Sequence, residues 1–189
     1  MGIRDLSTPR LTLREPVDRD AGSIAAAWQD PAIQRWLGVP VPSDDLSAQR
    51  YIDSIVSPGW ANQSVFTWSV IDRGELVGLV WVDAILEGVG RIGFWTSPEH
   101  RGRGIITEAA ACVIDACFSP DSPLHRIEWR AFAGNVASAQ VAQRLGFQFE
   151  GTLRSGAVGR QGREDEWLAS LLASDTRSPG AWPETVLPS

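Results

Sequence analysis

Lysine is missing from this chain: every one of its 17 cationic residues is arginine. That absence excludes a Walker-type phosphate loop, a pyridoxal Schiff base and any lysine nucleophile. Cysteine and histidine are nearly as scarce. Cys112 and Cys117 stand five apart in an apolar helical run and point to different sides of it, so neither a disulfide framework nor a CxxC motif is available. His100 and His125 are far apart in sequence and fit no ligand spacing, so no metal is expected. No GxSxG elbow occurs, which leaves serine hydrolysis without support. No stretch nears the ~20 consecutive apolar residues of a membrane span. The residues after Met1 lack the apolar core of a signal peptide. A cytoplasmic protein without membrane contact is expected. Its 23 acidic residues give a formal net charge of −6, whereas a nucleic-acid binder needs a basic face to release counterions.

What is present suits one globular domain: 189 residues, 43% hydrophobic and 21% charged. Arg10 to Arg14 alternates like a strand, and Asp18 is placed to cap a helix with Val17, Ala21, Ile24, Ala25 and Trp28 on its apolar face. Pro31 ends that helix, and a Pro-rich loop, Gly38 to Pro42, follows. A second helix starts near Asp45, with Ala48, Tyr51, Ile52, Ile55 and Val56 inward, and Pro58-Gly59 is expected to stop it. Strands are expected around Phe66–Val70, Leu76–Ile85 and Arg91–Thr96, antiparallel because their connections are short. From Gly104 the period becomes helical. A strand from His125 to Phe132 follows, then a helix capped by Asn135, then strands Phe147–Leu153 and Glu166–Leu172. The count is seven strands and four helices in an α+β, or mixed α/β, arrangement over residues 1–173. Residues 174–189, with three prolines, read as a loosely held tail.

The segment from Gly90 to Ala110 carries the most chemistry. A strand ends, an Arg- and Gly-rich turn follows, and a long helix opens at Gly104. Such a junction aims unpaired backbone N–H groups and the positive end of a helix dipole at one spot, suited to an anion. Glycines at 102 and 104 allow a bulky anion to approach the backbone.

The Arg101-x-x-Gly104 turn after a fourth strand, with Asn135-x-x-Ser138 and Arg144-Leu-Gly-Phe147, resembles the GNAT superfamily of acyl-CoA-dependent N-acyltransferases. Thr8-Pro-Arg-Leu-Thr-Leu-Arg-Glu-Pro16 and Pro98-Glu-His-Arg-Gly-Arg-Gly-Ile-Ile-Thr-Glu-Ala109 look like its ribosomal-protein-alanine N-acetyltransferase-like branch. The resemblance spans Pro9 to about Ala173 and implies a GNAT-like domain with a central, mostly antiparallel twisted sheet. It implies acetyl-CoA as the acyl donor, with its pyrophosphate on the N–H groups of Arg101, Gly102, Arg103, Gly104, Ile105, Ile106 and Thr107. The pantetheine arm would run along Phe94, Trp95 and Thr96 like an added strand, between splayed fourth and fifth strands. An N–H near Phe94 or Trp95 would face the thioester oxygen. Asn135 matches the family's pantetheine-binding asparagine, and Ser138 lies where the family places a hydroxyl near the sulfur.

Two positions depart from the family pattern. Ile106 stands where the turn usually ends in Gly or Ala, and Arg91 stands where an acidic candidate base is often found. Glu87, Asp83 or a water chain remain as bases, as does catalysis by positioning alone. The leading expectation is an N-acetyltransferase acting, as monomer or homodimer, on a primary amine: a peptide N-terminus or a small amine-bearing metabolite. The alternatives are a CoA-binding module that has lost catalysis and, less in keeping with the hairpin-like strands, a dinucleotide enzyme. The resemblance implies an acceptor cleft between Trp36–Pro42, which reads equally as a substrate lid or as a patch packed on the body or another subunit, and the loop bearing Arg154, Arg160 and Arg163, whose cations disfavour polycationic acceptors.

Overall fold

Leu11 and Leu13 are buried while Thr12 between them is exposed, the period-two pattern of a strand with one face on a core. The computed structural model describes residues 4–160 and 162–187. Its strands are β1 (Leu6–Ser7), β2 (Leu11–Arg14), β3 (Phe66–Asp72), β4 (Glu75–Leu86), β5 (Val89–Thr96), β6 (Arg126–Phe132), β7 (Gln148–Gly159) and β8 (Gly162–Leu172). They form one eight-stranded sheet in the order β1-β2-β3-β4-β5-β6-β8-β7. Every neighbouring pair is antiparallel except β5 with β6. The two-residue turns Arg73-Gly74 and Glu87-Gly88 hold all four residues at positive φ, as in the tight hairpins whose twist matches that of the strands. The α+β architecture is the expected one, with the short β1 added at the edge.

The helices are α1 (Ala21–Trp28), α2 (Pro31–Trp36), α3 (Asp45–Tyr51), α4 (Ser57–Asn62), α5 (Ile105–Cys117) and α6 (Val136–Arg144). Asp18 does not cap α1. A short 3-10 turn, Asp18–Asp20, precedes the helix, and the buried Asp20 accepts the Val17 N–H at 2.9 Å. Asp20 also takes both ends of the Arg14 guanidinium (2.7 and 2.8 Å) and the Ser69 hydroxyl (3.1 Å), tying β2 and β3 to the helix. Burial alone would raise the Asp20 pKa; these hydrogen bonds outweigh it and hold the carboxyl below its ordinary value.

Pro58-Gly59 does not stop the second helix either. Helix α3 passes through a π-type stretch, Ile52–Val56, into α4, which runs to Asn62. After the widened turns, Pro58 falls in the first turn of α4, where its missing N–H costs little. The last two strands are longer than expected: β7 and β8 form one hairpin through the region read as a loop.

Helices cover both faces of the sheet. Ala109, Ala110, Val113 and Ile114 of α5 pack in one core with Val80, Val82 and Ile92. On the other face Ile24 and Trp28 of α1 and Ala48 of α3 pack with Leu79 and Trp95. The C-terminal segment is not loosely held. Trp182 and Val186 are buried in the first core, Trp182 lies 5.6 Å from Trp129 and 5.4 Å from Phe149, and its Nε1 donates to the Phe147 carbonyl at 3.0 Å. One tryptophan anchors a polar, proline-containing stretch. No helix among the described residues is long and apolar enough to cross a membrane.

Candidate active site

The parallel ladder between β5 and β6 runs from Val89↔Arg126 to Ile92↔Trp129 and stops. Beyond it, β5 continues through Gly93–Thr96 and β6 through Arg130–Phe132 without pairing to each other. A cleft of ≈ 390 Å³ opens at this splay and reaches the loop before α5. Of the residues expected to hold CoA or to serve its sulfur, every one lines it except Arg103.

The loop is held from several sides. Ser97 Oγ and His100 Nδ1 are 2.8 Å apart. Arg101 donates through Nη2 to Asp30 Oδ1 at 2.6 Å and through Nε to the Thr96 carbonyl at 3.3 Å. The Arg101 side chain therefore fastens the loop to the start of α2. Burial would raise the Asp30 pKa, but the Arg101 hydrogen bond and the Ile33 N–H more than offset it, so Asp30 stays ionised below its usual range. Arg10 reaches the Arg103 carbonyl at 3.3 Å and Glu108 at 2.5 Å. Gly102 and Gly104 both have φ of +71°. A Cβ built on Gly102 meets nothing within 4 Å, and one on Gly104 meets only Arg10 Nη2 at 3.8 Å. The space above them is open, and the first N–H groups of α5 have no intrahelical acceptor. The cradle therefore has the room and the donors that a pyrophosphate requires.

On the opposite wall, Asn135 caps α6 by accepting the Ser138 N–H through Oδ1 at 3.3 Å. Its amide NH₂ remains as a donor. Ser138 Oγ accepts a hydrogen bond from Trp129 Nε1 at 3.0 Å. With that lone pair occupied by an N–H, the hydroxyl proton is directed away from Trp129. The sequence identifies Trp129 only as a buried strand residue; its pairing with Ser138, nine positions away on another element, has no local signal.

Arg91 donates through Nε to Asp83 Oδ1 at 2.8 Å across β4 and β5. That hydrogen bond is the main cause of a raised Arg91 pKa. Of the base candidates, Glu87 sits in the β4–β5 turn outside this cleft, whereas Asp83 lines a second cavity.

This second cavity, ≈ 620 Å³, lies on the α1/α3 face and shares Leu37, Trp81 and Trp95 with the first. Leu37 to Pro40 line it, but no residue of the β7–β8 hairpin does. The expected second loop instead braces the first. Arg160 donates to the carbonyls of Val39 (2.6 Å) and Gln34 (3.2 Å), and Arg35 pairs with Glu164 at 2.5 Å. The Arg160 charge is thus directed at backbone and not at an acceptor. Tyr51, in the cavity wall, is pushed above its ordinary pKa by burial and stays a neutral phenol. Among the described residues no cluster of three or more His, Cys, Asp or Glu could hold a metal ion.

The family described as acetyltransferase (GNAT) domain matches residues 10–148. An uncharacterized N-acetyltransferase p20 of Bacillus licheniformis is 31% identical over 176 residues, covering 90% of this chain and 97% of that protein. The ribosomal-protein-serine acetyltransferase of Escherichia coli is 32% identical over 87 residues, 45% of this chain and 48% of that one. Among solved structures, RimJ of Mycobacterium smegmatis in complex with CoA-disulfide superposes with a TM-score of 0.78 at 26% identity, over 89% of this chain and 86% of that one.

Proposed function

The chain belongs to the GNAT acetyltransferase family and is an acyl-CoA-dependent N-acetyltransferase; from that premise we propose how its two cavities divide the work. Acetyl-CoA lies in the cleft, its pyrophosphate on the backbone donors of Arg101 to Thr107. The pantetheine runs beside Phe94, Trp95 and Thr96, where β5 has lost β6 as a neighbour and its outward backbone groups want partners. The Asn135 amide NH₂ donates to the pantetheine. A β5 N–H near Phe94 or Trp95 stabilises the thioester oxygen as it gains charge.

The acceptor amine approaches from the second cavity and attacks the thioester carbon directly. The C–N bond forms, the C–S bond breaks, and the Ser138 hydroxyl gives its proton to the leaving sulfur. The attacking nitrogen passes its proton to water or to Asp83, and that proton is returned through solvent to the Ser138 oxygen, leaving N-acetylated amine, free CoA and a neutral serine hydroxyl. The acceptor is a peptide N-terminus or a small amine-bearing metabolite. The E. coli relative's acetylation of a ribosomal protein supports the first of these.

The observation that carries this reading is the splay of β5 from β6 opening onto the glycine loop before α5. Titration calorimetry with CoA and NAD, followed by free-thiol release from acetyl-CoA with a mixed amine panel, tests it. CoA binding with turnover is expected. NAD binding in place of CoA would refute the cleft assignment. CoA binding without turnover on any amine would favour a module whose catalysis has lapsed, the reading that Arg91 invites.

A further inference from the structure

The walls of the second cavity are uncommonly aromatic. Trp28, Tyr51, Trp81 and Trp95 face it, with Leu79 and Val39 between them. Its ≈ 620 Å³ lies within the range of sites that take a whole small molecule. A methyl or hydroxymethyl side group would leave most of that space to water against apolar surface.

Charge in the wall is limited to Arg50 and Asp83, and Asp83 is already engaged by Arg91 at 2.8 Å. A second ammonium on the acceptor finds no unpaired carboxylate in this wall. Trp28 is only 4% exposed, and its Nε1 is the buried side-chain donor that has no acceptor among the described residues. That nitrogen is itself inaccessible, so Trp28 contributes ring surface and not a donor to the cavity wall.

The cavity also lies where a nucleophile is needed. Trp81 stands opposite Gly93 in the β4–β5 register, and a Cβ on Gly93 would fall 2.2 Å from the Trp81 ring. The indole therefore lies against the β5 backbone one residue before Phe94. Leu37, Trp81 and Trp95 form the partition that both cavities share.

Building on the acetyltransferase reading above, we propose that this chamber selects the acceptor by its body: a primary amine carried on a bulky aromatic or aliphatic group, which for a peptide means a large apolar N-terminal residue. The ring or branched chain fills the space between the tryptophans, and the amine projects past Trp81 toward the thioester. The same walls favour the neutral amine, because an ammonium loses hydration there with no free carboxylate to compensate.

The test is a steady-state comparison of tripeptide amides that differ only in the first residue, Phe, Trp, Leu, Ala or Ser, with spermidine as a polycation. Phe-, Trp- or Leu-initiated peptides are expected to exceed the Ala and Ser peptides in kcat/KM by at least about tenfold. Ser54 is exposed at the chamber wall. Ser54→Phe should occupy part of the space and raise KM for the Phe peptide more than for the Ala peptide, with CoA affinity unchanged. Turnover that is fastest on Ala, Ser or spermidine overturns the chamber assignment while the acetyltransferase reading stands. CoA binding with no turnover on any amine would overturn both.

Discussion

Deleting residues 174–189 is expected to destabilise the entire domain and to slow acetyl transfer. Trp182 and Val186 are 8% and 2% exposed. Removing a buried tryptophan side chain costs about 3–5 kcal/mol, and losing a buried valine costs about 1.5–3 kcal/mol. The sum is about 4.5–8 kcal/mol, against a typical total of about 5–15 kcal/mol. At about 2–4 °C per kcal/mol for a domain of this size, Tm should fall by about 10–30 °C. The effect extends to the site because Trp182 packs at 5.6 Å on Trp129, which holds Ser138. Circular dichroism melts, and thiol release measured where both proteins are folded, give the two readouts. Trp182→Phe is the graded control. It keeps most of the apolar contact and loses the N–H donated to Phe147, so a loss of about 1 kcal/mol is expected. A truncated protein melting within about 2 °C of the full chain would show that the terminal segment is held as loosely as its composition suggests.

Gly104→Asn should retain the fold, since asparagine tolerates the left-handed conformation that φ of +71° requires, and calorimetry should show CoA affinity reduced by about tenfold or more as the side chain enters the phosphate cradle; undiminished affinity would place the pyrophosphate elsewhere. Ser138→Ala should lower kcat with little change in KM for acetyl-CoA. Trp129→Phe should lower kcat less, and the double variant should be no slower than Ser138→Ala alone; additive losses would separate the two residues. Asp20→Asn should cost about 3 kcal/mol at pH 7 by breaking a buried ion pair. Because the folded pKa of Asp20 lies below 3.8, the wild-type advantage is complete above that value and fades as pH falls through the depressed one. Urea unfolding at pH 7 and at pH values below 3.8 measures it; an unchanged gap between the two proteins across that range would refute the linkage.

Elements governed by local rules are legible in the sequence. The start of α5 follows from a glycine at left-handed φ before an apolar helical period, and α6 follows from the Asn135 cap. The glycine loop and the residues around it were identifiable because they are contiguous or lie in short motifs. What was hidden depends on distant partners. Residues 154–159 and 162–163 are rich in Gly, Arg and Ser and carry no apolar alternation, yet the β7–β8 hairpin makes them strand. The π-type turns that carry the helix past Pro58 have no sequence marker. Arg101 fastens to Asp30 and Arg160 to Val39, contacts spanning 71 and 121 residues that no local pattern encodes. The aromatic chamber was invisible for a different reason. Trp28 and Tyr51 do sit on helix faces that pack inward, as their spacing indicates, and nothing in that spacing tells a filled core from a cavity wall.

The splay between β5 and β6 leaves the sheet with an edge in its own middle. Five strands on one side and three on the other share a parallel ladder of four residue pairs. An open edge is a template for any extended chain, and proteins ordinarily hide, shorten or charge such edges. On the proposed reading the edge is part of the function, and a ligand lying in it would do what a neighbouring strand does. Each catalytic cycle would then remove and restore a piece of the sheet. Without ligand the two halves rely on α5, α6 and that short ladder; with the gap filled they are expected to resist unfolding as one body and to exchange the amides of Gly93–Thr96 more slowly. Supplying CoA during purification and storage should suppress edge-to-edge aggregation for the same reason that it stabilises the fold.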